Sequence, residues 1–206
     1  MQTSRRAATL PVEFFRRDVV TVARELLGLE LETTFRGCRT VGRIVEVEAY
    51  LGADDPASHA YRNRRHAHNA SLYLPPGTWY VYLSYGVHWC ANLVAGTQGQ
   101  GGAVLLRAIE PVIGAAAMAR RRGLRELMLL GSGPGRLCQA LGITRGRLDG
   151  RIMPESQARV LSPAGLPEGE ILTTPRIGIT KAADWPLRFL IRGSPHVSGR
   201  ARRLGE

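Results

Sequence analysis

Lysine is nearly absent from this 206-residue sequence: Lys181 is the only one, against 27 arginines. Acidic residues are also scarce, 17 against 28 basic, which leaves a formal net charge of +11 at pH 7. The three cysteines, Cys38, Cys90 and Cys138, are odd in number and far apart. That excludes a disulfide framework and fits a reducing compartment. No run of about 20 apolar residues occurs, so no bilayer-spanning helix is expected. The opening MQTSRRAATLPVEFFRR lacks the apolar core of about 7–15 residues that a secretory leader needs, because Glu13, Arg16 and Arg17 interrupt it. GSGPG at 131–135 is no nucleotide-binding P-loop, since GxxxxGK[ST] is missing. His66 and His68 have no cysteine or carboxylate at ligand spacing, so no metal is expected. At 44% hydrophobic and 22% charged, the composition is that of a globular protein. The expectation is one cytoplasmic domain over 1–206, with tails at about 1–10 and 196–206.

What is present is arginine. Arginines that neutralise phosphates release counterions and gain affinity without reading sequence, so the charge points to a polyanion such as nucleic acid. The competing reading is that the skew records codon composition and confers solubility.

Apolar spacing predicts a helix over Pro11–Leu27, stopped by Gly28. Strands are expected at 29–35, 42–50, 78–85, 88–95 and 103–109, and late in the chain at 171–180 and 187–192. Helices are expected at 112–122, 124–130 and 135–141. Residues 51–77 break the regularity and carry the cationic stretch YRNRRHAHN; a loop of that length in a compact domain is usually functional. Residues 144–170 read as irregular. The fold class is α+β, a mostly antiparallel, curved sheet with surrounding helices.

Strand residues two apart share a face. In VEVEAY this groups Glu46, Glu48 and Tyr50 on one face, with Val45, Val47 and Ala49 on the other. Tyr80 and Tyr82 repeat an aromatic pattern in WYVYLSY, and Arg107 interrupts the apolar strand VLLRAIE. A lone arginine in such a strand needs a carboxylate partner, and Glu46, Glu48 and Glu110 are available. The group can be a structural salt bridge, or a base beside a stacking site for a flat ligand. Periodicity does not choose.

The blocks GRIVEVEAYLGADDPASHAYRNR, PPGTWYVYLSYGVHWCANLV, GGAVLLRAIEP, GSGPGRLCQALGI and TPRIGIT…WPLRFLIRGSP, in that order, resemble the alkyladenine (3-methyladenine) DNA glycosylase family over about Leu10–Pro195. The resemblance implies a monofunctional, monomeric base-excision enzyme acting on double-stranded DNA containing damaged purines. It implies no metal, nucleotide cofactor or Schiff-base lysine, and Lys181 lies outside the candidate pocket segments.

By that resemblance Glu48 is the general base that takes a proton from water, Arg107 orients it, and the Ile177 carbonyl is a third water contact. A base inside a duplex must be extruded before it can react. The extruded purine is expected to stack between Tyr50 on one side and His59 and Tyr82 on the other, worth on the order of 1–3 kcal/mol per base. An aromatic cage also favours the positive charge of N3- or N7-alkylated purines. His59 outside this context would read as a surface loop histidine. Asn92 matches a pocket asparagine that clashes with the 2-amino group of guanine; otherwise it is a buried strand asparagine bonding to backbone. Tyr85, at the turn in LSYGVH, matches the wedge that fills the gap in the duplex, a device usual in minor-groove binding; otherwise it packs locally. Val87 stands where a methionine is common, and His88 where a tyrosine is seen, so the gap interface departs from the family pattern. Arg62, Arg64 and Arg65 in the long loop and Arg136 after GSGPG are the phosphate contacts expected, the last beside a helix N-terminus. Arg120–Arg122 and Arg125 read equally well as a solvated helix face. Glu46 reads as structural.

Two rivals follow from the same residues. A sugar glycosidase would use Glu46 and Glu48 as a carboxylate pair about 7 Å apart. A non-enzymatic nucleic-acid-binding module would use only the charge and the aromatics. Neither releases a purine from DNA.

Overall fold

The computed structural model describes residues 8–162 and 170–199. Nine strands form one sheet: β1 (Ala8–Thr9), β2 (Glu30–Phe35), β3 (Cys38–Tyr50), β4 (Trp79–Ser84), β5 (His88–Val94), β6 (Ala103–Ile113), β7 (Ala158–Ser162), β8 (Ile171–Thr174) and β9 (Arg188–Ile191). The order is β1-β7-β2-β3-β6-β5-β4, all neighbours antiparallel, with β9 pairing the second half of β3 and β8 pairing β9. Helices α1 (Val19–Leu26), α2 (Ala115–Arg122), α3 (Leu127–Leu130), α4 (Pro134–Leu141) and α5 (Arg145–Leu148) accompany it. The expected α+β class with a curled antiparallel sheet is the one observed.

The helix expected over 11–27 is two pieces. Val12–Arg16 is a 3-10 turn, Arg17 is extended, and Asp18 caps α1 by accepting from the Thr21 N–H at 3.0 Å. Val19, Val22, Ala23 and Leu26 then bury the helical i, i+3, i+4, i+7 stripe. The strand expected at 103–109 runs on to Ile113, which delays α2 to Ala115. The stretch 144–170, read as irregular, holds α5 and β7, while 163–169 lie outside the described residues. Of the expected tails, Ala8 and Thr9 pair with Ser162 and Leu161, and Ser198 is buried; 1–7 and 200–206 lie outside the described residues.

The main core gathers Trp79, Phe15, Leu26, Ile44, Val47, Leu93, Leu106 and Ile109 on one side of the sheet with α1 and α4. β3 and β6 run through the middle of the molecule, and their pairing is irregular at the point that matters. The register passes from Ile44↔Ile109 to Glu46↔Ala108 and then to Val47↔Leu106, so Val45 on one strand and Arg107 on the other have no opposite partner. These are β-bulges, which kink a strand and re-aim a side chain. Val45 consequently leaves the face of Val47 and Ala49 and packs with Ala108, Leu190 and Val197. The simple alternation expected for VEVEAY therefore fails at Val45.

Candidate active site

The bulge turns Arg107 toward both glutamates of β3. Its Nε lies 2.8 Å from Glu46 Oε1 and its Nη1 lies 3.1 Å from Glu48 Oε2. Both carboxylates are fully buried and Arg107 nearly so. Burial works against the arginine's charge, but Glu48 and Glu46 outweigh it and hold its pKa above the ordinary value.

The two glutamates are held differently. Glu46 Oε1 accepts from Arg107 Nε (2.8 Å), Arg188 Nε (2.8 Å) and Ser198 Oγ (2.7 Å), and its Oε2 from the Ser198 N–H (2.5 Å). Desolvation would raise its pKa, yet Arg107, Arg188 and the Ser198 N–H bring it below the usual carboxylate value. Glu48 Oε2 receives the Tyr50 hydroxyl at 2.9 Å besides Arg107, and Oε1 receives only the Ile177 N–H, at 2.9 Å. An ionised carboxylate has about four lone-pair positions. Among the described residues Glu46 receives four donors, three on Oε1 and one on Oε2, whereas Glu48 receives three, two on Oε2 and one on Oε1.

Tyr50, whose hydroxyl bonds Glu48, lines a cavity of about 260 Å³ together with His59, Tyr80, Tyr82, Asn92 and Ile179, with Tyr85 at its edge. The volume is just below the usual range of ligand pockets, a size for one flat heteroaromatic group. Burial, and then the charge of Glu48, push the Tyr50 hydroxyl well above the ordinary phenol range, so it stays protonated and donates. Burial does the same to Tyr80 and Tyr82. The His59 ring meets Tyr82 edge-on at 4.5 Å between centroids, and its Nδ1 shares a hydrogen with the Tyr80 hydroxyl at 2.7 Å. Much of His59 is open to solvent, yet the ring side against the tyrosines is desolvated. That, with His66 nearby, lowers its pKa. Asn92 is buried on β5, donates to the Tyr80 carbonyl at 3.1 Å and also lines the cavity.

A larger cavity of about 570 Å³ lies on the other side of the His59–Tyr82 wall and carries Arg64, His66, His68, Arg145 and Lys181. Lys181, expected outside the pocket segments, borders this second cavity, while Gly178 and Ile179 just before it line the first. His68 Nδ1 lies 3.2 Å from Arg145 Nη1. Among the described residues no three His, Cys, Asp or Glu side chains gather as metal ligands, and no helix is long and apolar enough to cross a membrane.

The rim is built from the β4–β5 hairpin and the 51–77 loop. Val87 N–H donates to the Ser84 carbonyl at 3.0 Å, and the two central residues, Tyr85 and Gly86, have φ of 50° and 69°. Glycine suits such a turn, whereas a bulky residue in the left-handed region costs on the order of 1–3 kcal/mol and is kept for a reason outside turn chemistry. Tyr85 is 88% exposed and Val87 70%, with Leu83 also exposed. The hairpin tip is thus an apolar projection. His88 abuts Gly135 at the start of α4, which brings Arg136 to the hairpin's flank; its Nη1 donates to Ser132 Oγ at 3.2 Å. In the loop, Asn69 is buried and holds the His59 and Arg64 carbonyls and the His66 N–H. Arg62 lies over the Tyr61 ring, Arg65 over Tyr73 while donating to the Gly99 carbonyl, and Arg64 projects into the larger cavity.

Sequence reasoning missed Arg188, Ser198, Arg176 and Asp55, all buried. The signal for the arginines is the one that found Arg107, a guanidinium in an apolar setting, in PLRFLI and TPRIGIT. Ile177 was expected to act through its carbonyl; the bond formed is from its N–H to Glu48. The carboxylate pair of a sugar glycosidase finds no support in the geometry, because Glu46 is completely buried with its charge taken up by Arg107, Arg188 and Ser198.

Comparison with known proteins agrees with the order of blocks in the sequence. The family model described as Methylpurine-DNA glycosylase matches residues 13–195. A protein of Methanoculleus marisnigri named "Putative 3-methyladenine DNA glycosylase" is 51% identical over 199 residues, covering 93% of this chain and 100% of its own. Proteins of the same name from Koribacter versatilis (49%; 94% of each chain) and Agrobacterium fabrum (48%; 92% of each chain) are similar over nearly their whole length. With a match of this extent, the chain belongs to the methylpurine-DNA glycosylase family, hydrolases of N-glycosyl bonds in DNA.

Proposed function

We propose that this protein is a monofunctional, monomeric glycosylase of the cytoplasm that flips alkylated or deaminated purines out of duplex DNA and hydrolyses the bond to deoxyribose with water activated by Glu48. The observation that carries this reading is that Glu48 Oε1 carries a single donor, the Ile177 N–H, while its Oε2 is held by Arg107 and by Tyr50, whose ring lines the aromatic cavity. Tyr85 enters the duplex in place of the extruded nucleotide, with Val87 beside it. The purine stacks between Tyr50 and the His59–Tyr82 wall, and Asn92 rejects a guanine 2-amino group. Arg62, Arg64, Arg65 and Arg136 meet phosphates. Water held at Glu48 Oε1, near the Ile177 backbone, gives its proton to the carboxylate and forms the new C1′–O bond. The C1′–N bond breaks with its electron pair going to the purine. Glu48 also stabilises the positive charge that develops on the sugar. The products are a free purine and an abasic site, and no covalent enzyme intermediate or cofactor is used.

The test is incubation with methylated duplex DNA, followed by measurement of free base and of abasic sites. Release of purine with intact strands is expected. A protein that binds the duplex and releases nothing is a binding module, and strand cleavage accompanying release removes the monofunctional assignment.

A further inference from the structure

Behind the base cavity lies a second buried charge pair that the chemistry above does not use. Arg176 and Asp55 are both completely buried and joined in a two-pronged bond, Nη1 to Oδ2 at 2.5 Å and Nη2 to Oδ1 at 2.8 Å. Arg176 Nη1 also donates to the Ala49 carbonyl at 3.1 Å, and its guanidinium lies 4.7 Å from the centroid of the Tyr50 ring. Tyr50 lines the cavity and Arg176 does not, so the guanidinium covers the ring's far face. Asp55 in turn accepts from the Leu51 and Ala57 N–H groups, at 3.1 and 3.0 Å, tying down the start of the pocket loop. The residue after Arg176 is Ile177, whose N–H reaches Glu48.

A buried ion pair is a poor way to gain stability, because desolvating both charges cancels most of the attraction. A planar guanidinium, however, can bond a carboxylate bidentately, bond a carbonyl and stack on a ring at once. Three separate segments meet on Arg176: the end of β3 at Ala49–Tyr50, the loop at 51–57 and the chain at 176–177. An apolar residue of the same size would fill the space and fix none of their angles.

We propose that Arg176, clamped by Asp55, is a positioning residue for both halves of the site. It sets the plane of Tyr50 against which the purine stacks, and it sets the backbone that delivers the Ile177 N–H to Glu48. This rests on the reading of Glu48 and Tyr50 given above. Sites held in such a frame lose rate steeply when it loosens, since a shift of about 1 Å can cost on the order of 10²-fold.

The experiment compares single-turnover release of free purine, at limiting and saturating protein, for wild type, Arg176→Lys, the double variant Asp55→Asn/Arg176→Met and Glu48→Gln, each with its thermal unfolding measured. The double variant removes both charges together, so no orphan carboxylate is buried. Lysine keeps the charge and loses the fork, which makes it the milder change if the double variant does not fold. The expected result is a saturating rate lowered about 10²-fold in the double variant and about tenfold in Arg176→Lys. Half-saturation should shift several-fold upward, and quenching of a fluorescent purine lesion on binding should be reduced. A folded double variant, or failing that Arg176→Lys, with a lowered unfolding temperature but a saturating rate within twofold of wild type would overturn the proposal. Glu48→Gln separates the two levels: wild-type activity there removes the underlying mechanism, whereas an inactive Glu48→Gln beside fully active Arg176 variants removes only the positioning role.

Discussion

Glu46 and Glu48 stand two residues apart on one strand, equally buried and touched by the same arginine, and they are committed to different degrees. Glu46 receives four donors from β6, β9 and the chain near Ser198, two of them from guanidinium groups. Glu48 receives two hydrogen bonds and one ion-pair contact, and its Oε1 carries only the Ile177 N–H among the described residues. Chemistry belongs to the carboxylate bonded to a ring of the cavity. Rigidity belongs to the one held by two arginines and Ser198, and Arg107 transmits that rigidity because its Nε is fixed on Glu46 while its Nη1 serves Glu48.

The sharpest way to break this comparison is to neutralise each glutamate in turn. Glu48→Gln should slow saturating purine release by about 10²- to 10⁴-fold, the range of a lost general base, with a small change in unfolding temperature. Glu46→Gln should do the reverse. It leaves Arg107 and Arg188 short of a counter-charge and should cost about 3–5 kcal/mol of stability, with a smaller fall in rate on the folded protein. Calorimetry and single-turnover assays on both variants decide it; the opposite ordering would exchange the two roles.

Acid sharpens the same contrast. The pKa of Glu46 in the folded protein lies below its ordinary value of 4.5, which the unfolded chain retains. Its contribution to stability is therefore complete above about pH 5 and is lost as pH falls through the lowered folded value. Urea unfolding from pH 6 to pH 3 should show wild type losing stability more steeply than Glu46→Gln. Parallel curves would mean that Glu46 carries no paired charge.

How much of this was legible beforehand follows from which features are local. The β4–β5 hairpin and Tyr85 at its tip were readable because turn and strand signals sit within 16 residues of one another. The acid–aromatic grouping on β3 was readable from a period of two. Which glutamate is free was not, because that depends on bulges at Val45 and Arg107 and on Ser198, 152 residues from Glu46. Arg176 escaped for the same reason: its partner Asp55 is 121 residues away, and neither flanking sequence indicates the other. β7 was missed because Arg159 interrupts a short strand; its side chain turns outward to Glu32.

The distinction between committed and uncommitted groups extends to the rim. Tyr50, Tyr80 and Tyr82 are packed or bonded within the protein, whereas Tyr85 is 88% exposed and its side chain bonds to none of the described residues. Tyr85→Ala should leave stability within about 0.5 kcal/mol of wild type and lower release from damaged duplex at least about tenfold, since extrusion of a paired base costs a few kcal/mol. Release from the same lesion in single-stranded DNA, which needs no gap filled, should change far less. Equal losses on both substrates would make Tyr85 part of the pocket rather than a wedge.

The smallest effects expected separate Arg64 from Arg65, neighbours in the same loop. Arg65 donates to the Gly99 carbonyl at 3.2 Å and covers the Tyr73 ring at 3.8 Å, so part of its side chain already serves the fold. The Arg64 side chain has no carboxylate, carbonyl or ring partner among the described residues. A free guanidinium facing a phosphate contributes about 0.9 to the slope of log K against log salt. Binding of undamaged duplex, which leaves the base cavity out of the measurement, should therefore lose close to that amount in Arg64→Ala. Arg65→Ala should lose less slope and show a lower unfolding temperature, because a cation used twice within the protein has less of its charge to give to DNA. An unchanged slope in Arg64→Ala would place the duplex elsewhere and make that loop's charge a matter of solubility.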